Sequence, residues 1–393
     1  MHPYACSMIS RTIESYVRRC FSVYPVVTIT GPRQSGKTTL AKSCFSHLPY
    51  VNLESLENRQ FAAEDPIAFM RKYSNGAIID EIQNVPELTS YIQVAVDDKN
   101  KNGLFVLTGS RQFSLMEKVS QSLAGRTAIV TLLPFSMEEI SEGYPNIKNE
   151  TDEIIFNGFY PRLYDQHIDP VMGLSDYIST YIEKDLRQLS QIQNLGLFQK
   201  FLKLCAGRTG QILNASGLAE DTGINHKTAI EWISLLESSY ILFRLPPYFA
   251  NISKRLIKSP KLYFYDTGLA SNLLGIENHK QIETHPLRGT LFENLVISEI
   301  MKYRLNRGKK SNLSYFRDAK GHEVDLLYQM ADKIVPIEIK SAATIRSDFF
   351  KGINYFDKHI LPSDKKIIVY DGERDEKRSN AIVTNFRSVT SRL

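Results

Sequence analysis

No two of the four cysteines (Cys6, Cys20, Cys44 and Cys205) form a CxxC pair. Their scatter excludes a zinc site of ordinary spacing and a secreted disulfide framework. The opening stretch, MHPYACSMISRTIESYVRRC, lacks an apolar h-region, and no apolar run approaches the roughly 18 residues that span a bilayer. A reducing cytoplasm and no membrane association are therefore expected. Neither sign of charge dominates: 48 Lys and Arg against 43 Asp and Glu leave +5. That balance permits nucleic acid as a partner without demanding it. Low-complexity and collagenous stretches are also absent. What remains is the composition of a globular protein, 42% apolar and 23% charged. At 393 residues it is too long for one ordinary core, so two or three domains are expected.

The segment Val26-Val-Thr-Ile-Thr30 is β-branched and apolar, the pattern of a buried parallel strand. It runs into Gly31-Pro-Arg-Gln-Ser-Gly-Lys-Thr38, a complete GxxxxGK[ST], followed by a helical pattern from Thr39. Strand, glycine loop and helix form the context that gives this motif its meaning. Backbone N–H groups close on phosphates there, and the helix N-terminus favours negative charge. Lys37 is expected to reach the β- and γ-phosphates of ATP, and the Thr38 hydroxyl to ligate Mg²⁺. Gly31, Pro32, Arg33, Gln34, Ser35, Gly36, Lys37, Thr38 and Thr39 make up the expected nucleotide loop.

A second apolar strand, Gly76-Ala-Ile-Ile-Asp-Glu81, ends in adjacent carboxylates. Asp80 is expected to hold Mg²⁺ through water, and Glu81 to orient and deprotonate the attacking water. The plainer reading of Glu81 is a solvated acid opening the next helix. A third strand, residues 104–108, brings Thr108 and Ser110 to the carboxyl edge of the sheet, where ligands bind. Either is a candidate γ-phosphate sensor, and Thr108 joins Asp80 in the nucleotide set. Arg126 is a candidate arginine finger for a neighbouring subunit, which would require a homo-oligomer. Its alternative is a surface arginine near a turn.

The order of these pieces is that of an AAA+ ATPase. More closely, the chain resembles a bacterial and archaeal family of AAA-type ATPases carrying a DUF4143 C-terminal region. The resemblance rests on Gly31 to Thr39, Ile78-Ile-Asp-Glu-Ile-Gln-Asn84, Leu107-Thr-Gly-Ser110, Ser122 to Arg126 and Leu133-Pro-Phe135. Gly158-Phe-Tyr-Pro-Arg162 and Tyr181-Ile-Glu-Lys-Asp-Leu186 extend it. It implies a lid on the nucleotide around Arg162, making that residue a candidate second sensor.

From Leu197 the pattern turns helical, and two helical stretches, 214–223 and 226–237, flank a glycine turn with Asn225 as the expected N-cap. With strand-like segments 240–245 and 261–265, these read as a winged helix-turn-helix. Asn225, His226, Lys227 and Thr228 would face DNA, but Glu231 and Glu237 thin that face. A protein-docking role fits the same unit.

In the last third, a helix from Arg288 precedes three strand-like segments: 313–317, 321–328 and 334–340. Asp325, Glu338 and Lys340, with Glu293 on the helix, resemble a PD-(D/E)xK nuclease core. Glu338 and Lys340 are two apart and share one strand face. Asp325 and Glu338 offer hard oxygens to Mg²⁺, with Glu293 as a further ligand and Lys340 as a charge stabiliser. Lys302, Arg304, Arg307, Lys309, Lys310, Arg317 and Lys320 form a nearby set of cations that suits a phosphate backbone. The plainer reading is an edge hairpin with solvated charges.

The expected fold is α/β. It comprises a P-loop AAA+ core over residues 1–135 with a helical lid or connector at 136–195, a winged helix at 196–280, and a restriction-endonuclease-like domain at 281–393. The expected activity is ATP binding and hydrolysis by a protein acting on nucleic acid, DNA first, with a candidate metal-dependent nuclease site. The alternative is an ATP-controlled switch that binds a partner protein. A small-molecule kinase is disfavoured, because Asp80-Glu81 supplies a water-activating acid.

Overall fold

The structure is a computed structural model that describes residues 9–110, 122–144, 150–182, 194–248 and 259–393. Residues 183–186 of the motif beginning at Tyr181 lie outside it.

Five strands with nearly continuous apolar sequence build the first sheet. They are β1 (Val26–Thr30), β2 (Tyr50–Asn52), β3 (Ala77–Asp80), β4 (Phe105–Gly109) and β5 (Thr127–Thr131). All pair in parallel in the order β2-β3-β4-β1-β5. Successive side chains leave a strand on opposite faces, so one run of apolar residues feeds two cores. Val26, Ile79, Phe105 and Leu107 pack on one side against the helix α3 (Leu88–Lys99). Val27, Ile29, Ile78 and Val106 pack on the other against α1 (Glu14–Val23) and α2 (Lys37–Cys44). The sheet is thereby covered on both faces, and its only open edge of chemical interest is the carboxyl end.

Next come the short helices α4 (Met137–Gly143) and α5 (Thr151–Asn157). Ser136 and Glu139 start α4 with a reciprocal capping box. The middle of the chain forms α6 (Leu195–Gly207), α7 (Ala215–Thr222) and α8 (His226–Ser238). Asn225 caps α8 by accepting from the Thr228 N–H. The antiparallel pair β6 (Leu242–Leu245) and β7 (Lys261–Phe264) completes this part.

The long helix α9 (Arg288–Leu305) leads into a six-stranded mixed sheet. Its strands are β8 (Leu313–Arg317), β9 (Glu323–Met330), β10 (Lys333–Lys340), β11 (Ile367–Tyr370), β12 (Glu376–Lys377) and β13 (Ile382–Asn385), with α10 (Lys351–His359) on one face. The β9–β10 pairing is antiparallel, with Ile337 opposite Leu326, which sets Glu338 opposite Asp325. Among the described residues, no helix is long and apolar enough to cross a membrane.

One apolar cluster runs from Phe135 through α6, α8 and β7 to α9 and Val389. Inside it α9 carries charge. Lys302, 1% exposed, donates to Glu299 Oε1 at 2.6 Å and to the Phe135 carbonyl at 2.8 Å, over the Phe159 ring. Glu299 Oε2 accepts from the Met137 N–H at the start of α4. Breaking a buried pair from one side leaves the other charge uncompensated, at about 3–5 kcal/mol. Lys302→Met is therefore expected to lower unfolding free energy by about that much. Urea unfolding followed by the single tryptophan, Trp232, in the same cluster will measure it. A loss under about 1 kcal/mol, the level of an exposed pair, would remove Lys302 from this role.

Candidate functional site

The loop between β1 and α2 is shaped by two backbone requirements. Gly31 has φ +147°, and a Cβ there would lie 2.0 Å from the Leu132 carbonyl oxygen. Gly36, at φ +90°, starts α2 from the left-handed region. Lys37 is buried and donates to the carbonyls of Gly31 (3.1 Å) and Pro32 (2.6 Å). Burial pulls its ammonium down to about 8, against the opposing pull of Glu81 and Asp80. Thr38 Oγ1 donates to both oxygens of Asp80, at 3.2 and 3.0 Å. The Thr38 hydroxyl and the Asp80 carboxylate are hard oxygen donors side by side, the set that Mg²⁺ takes.

Thr108 also donates to Asp80 Oδ1, and Tyr50 donates to Oδ2 at 2.7 Å. Asp80 is thus held from two strands, β2 and β4, and from the first turn of α2. Glu81 sits beyond it at φ +56°, a strained setting for a non-glycine residue. Its carboxylate accepts from Gln83 and from Ser110 Oγ (3.5 Å), and burial raises its pKa despite Lys37. A cavity of about 330 Å³ opens beside the loop between Ile9, Gly36, Leu40, Phe135 and Pro161. A second, of about 520 Å³, lies between Gln34 and Arg162. Arg33 reaches Glu54 at 3.6 Å. Pro32, Ser35 and Thr39 stand in the loop and first turn as the motif requires. Arg126 lies outside this group: its guanidinium forms a two-pronged pair with Asp97 of α3 at 2.6 and 2.8 Å.

Arg11 carried no sequence signal. It is buried, and donates to the Ser35 carbonyl (2.7 Å), the Leu133 carbonyl (2.7 Å) and Glu139 (3.1 Å). One guanidinium therefore ties the phosphate loop to the exit of β5 and to the cap of α4.

At the second site, Lys340 Nζ lies 3.2 Å from Asp325 Oδ2 and 2.7 Å from Glu338 Oε1. Asp325 Oδ2 also accepts from the Ile339 N–H at 2.8 Å. Glu338 Oε2 is buried and has no hydrogen-bond partner. Burial first, and then Asp325, raises the Glu338 carboxyl to about 8. An orphaned buried oxygen beside a second carboxylate fits a divalent cation. Among the described residues, no third His, Cys, Asp or Glu converges with them as a ligand group. Glu293 stands aside because Lys261 (3.0 Å) and Tyr263 both donate to its Oε1.

The cation set is smaller than the sequence suggests. Lys302 is internal, and so is Arg304, which donates to the carbonyls of Lys310 and Gln329. Both fill the protein's own acceptors, so neither can meet a phosphate backbone. Arg307, Lys309, Lys310 and Lys320 are exposed, and Arg317 pairs with Glu323 at 3.0 Å.

Residues 23–141 match the AAA domain family, residues 148–280 a domain of unknown function (DUF8612), and residues 288–389 a further one (DUF4143). The chain carries an AAA domain and a DUF4143 domain. Rv2008c of Mycobacterium tuberculosis is 29% identical over 345 residues, 86% of this chain and 76% of its own. MJ1637 of Methanocaldococcus jannaschii is 24% identical over 363 residues, 79% and 74% of the two chains. The Walker-type ATPase PABY2304 of Pyrococcus abyssi superimposes with a TM-score of 0.46 at 14% identity, over 66% of this chain and 94% of that one.

The Lys37 environment gives the AAA domain a pH signature. Below pH 8 the lysine is charged before and after it meets a polyphosphate. Above pH 8 the free lysine is neutral and must take up a proton on binding. Nucleotide affinity is expected to fall by up to about tenfold per pH unit above that point. Calorimetry in buffers of different ionisation enthalpy should record proton uptake at pH 9, and none at pH 7. Equal uptake at both would overturn this assignment.

Proposed function

We propose that this protein binds and hydrolyses ATP at its AAA domain and acts on nucleic acid through its C-terminal half. The observation that carries the ATPase reading is the row Lys37, Thr38, Asp80 and Glu81 along one edge of the parallel sheet. Lys37 holds only neutral carbonyls, which a triphosphate can replace. Thr38 and Asp80 would hold Mg²⁺, which when bound neutralises phosphate charge. Glu81 is oriented by Ser110 and Gln83 to take a proton from water, and Thr108, which donates to Asp80, would sense the γ-phosphate. The apolar cavity beside Ile9 and Phe135 suits the base, and Arg162 faces the neighbouring cavity. Arg126 would complete a neighbouring subunit's site on exchanging Asp97 for phosphate.

The nucleic-acid part rests on the C-terminal carboxylates and the middle unit. Asp325 and Glu338 would hold a divalent cation that polarises a phosphodiester, with Lys340 beside it. Helices α7 and α8 with β6 and β7 read as a winged helix. Its Asn225, His226 and Lys227 are exposed at the start of α8, open to DNA or to a protein. Exposed Arg307, Lys309, Lys310 and Lys320 offer contacts to a phosphate backbone. The second reading, an ATP-controlled switch holding a partner protein, is favoured by how many of the acids are already paired internally.

Glu81→Gln is expected to keep nucleotide affinity and to lose about 10²–10⁴-fold in the hydrolysis rate, the usual worth of a general base. Radiolabelled ATP turnover, run beside equilibrium binding, tests this, and a variant with wild-type turnover would sink the role of Glu81. A panel of DNA and RNA substrates with Mn²⁺, with and without ATP, tests the rest. Cleavage lost in Asp325→Asn supports the nucleic-acid reading. Intact ATP hydrolysis with no cleavage by the wild type leaves the switch.

A further inference from the structure

We infer that Lys261 takes the place of a second divalent cation at the C-terminal site, which is therefore built for a single metal ion. This rests on the metal-binding reading of Asp325 and Glu338 proposed above.

Lys261 lies on β7, outside the DUF4143 match, and reaches into the acidic cluster from the neighbouring segment. It is 3% exposed, with Nζ 3.0 Å from Glu293 Oε1 and 2.6 Å from Glu323 Oε1. A buried ammonium with no partner would be costly, and two carboxylates compensate it here. The same contacts occupy the carboxylates. Glu293 Oε1 also accepts from the Tyr263 hydroxyl, and Glu323 Oε2 holds Arg317 at 3.0 Å.

Cation demand is thereby uneven across the cluster. On the Lys261 side both acids have cationic partners. On the other side Asp325 and Glu338 share the one lysine, Lys340, and Glu338 Oε2 is buried with no partner. Four carboxylates (Glu293, Glu323, Asp325 and Glu338) face three cations, Lys261, Lys340 and Arg317. With all acids ionised, one negative charge is left over. One divalent ion turns that into a single positive charge. A second would leave an excess of three in a largely buried setting, where like charges repel strongly. Removing the Lys261 ammonium frees Glu293 and Glu323 together as ligands and lowers the excess a second ion would leave from three positive charges to two.

The test counts Mn²⁺ bound to the full chain without nucleotide, by electron paramagnetic resonance of the free ion. The ions assigned to this site are those lost in Asp325→Asn. The wild type is expected to lose one ion on that change. Changes to groups that only support a ligand cost about 10–100-fold in metal affinity, so loss of a ligand should cost at least that. Glu293→Gln is expected to keep the ion, since Glu293 is no ligand here. Lys261→Met is expected to gain an ion, and adding Glu293→Gln to it should remove the gain. Lys261→Arg, which keeps the cation, should stay at one and serves if the methionine variant does not fold. Loss of two ions in Asp325→Asn, or loss of the ion in Glu293→Gln, overturns the single-ion assignment while leaving a metal site. A folded Lys261→Met that gains none overturns the role of Lys261. A wild type with no ion sensitive to Asp325 overturns the metal reading itself.

Discussion

The ion pair of Glu299 and Lys302 sits where the AAA domain, its following helices and the C-terminal sheet meet. Neither charge can stay there alone. Lys302 is satisfied only because the Phe135 carbonyl, at the end of the AAA core, comes to it, and Glu299 only because the first N–H of α4 does. The position of α4 against α9 is therefore set by a hydrogen-bond requirement as much as by apolar contact. Glu139 on the same short helix then holds Arg11, and Arg11 holds the Ser35 carbonyl of the phosphate loop. Each link is a charged group whose desolvation makes loss of its partner expensive.

The other end of α9 is tied just as closely. Arg288 bridges Asp152 of α5, Asp371 after β11, and the Ser341 carbonyl that directly follows Lys340. One 18-residue helix thus touches the helices after the AAA core at both its ends and carries Glu293 between them. A change in the position of α4 or α5 must either break one of these contacts or move α9. Packed interiors respond to such demands by switching between discrete arrangements rather than by deforming.

The parts of this arrangement that were legible in the sequence are those in which chemistry and spacing lie within one stretch of chain. The loop from Gly31 to Thr38 is continuous, and Glu338 and Lys340 share a strand face at a spacing of two, so strand periodicity alone places them together. The pairing of β9 with β10 then needs only a short turn to bring Asp325 across. Arg11, Tyr50 and Lys261 were not legible, because their partners are distant in sequence: 24 residues to Ser35, 30 to Asp80 and 32 to Glu293. The set of cations around residues 302–320 misled for a related reason. A run of charges shows no inside or outside until the helix phase is known, and α9 turns Lys302 and Arg304 inward to acceptors of its own protein.

The lysines at the two sites differ in what holds them, and that difference separates mobile cations from fixed ones. Lys37 is held by two neutral carbonyls, so a phosphate oxygen is a stronger partner than either and the exchange is downhill. Lys340 is held by carboxylates, but about a third of its side chain is exposed. It can turn toward an incoming anion without first being dehydrated. Lys261 has neither freedom: its side chain is 4% exposed and it is shared between two acids. Moving it would strand both carboxylates in the interior. A group that cannot leave cannot take part in exchange with substrate, so its charge acts on the site as a constant, in the way a permanently bound ion would.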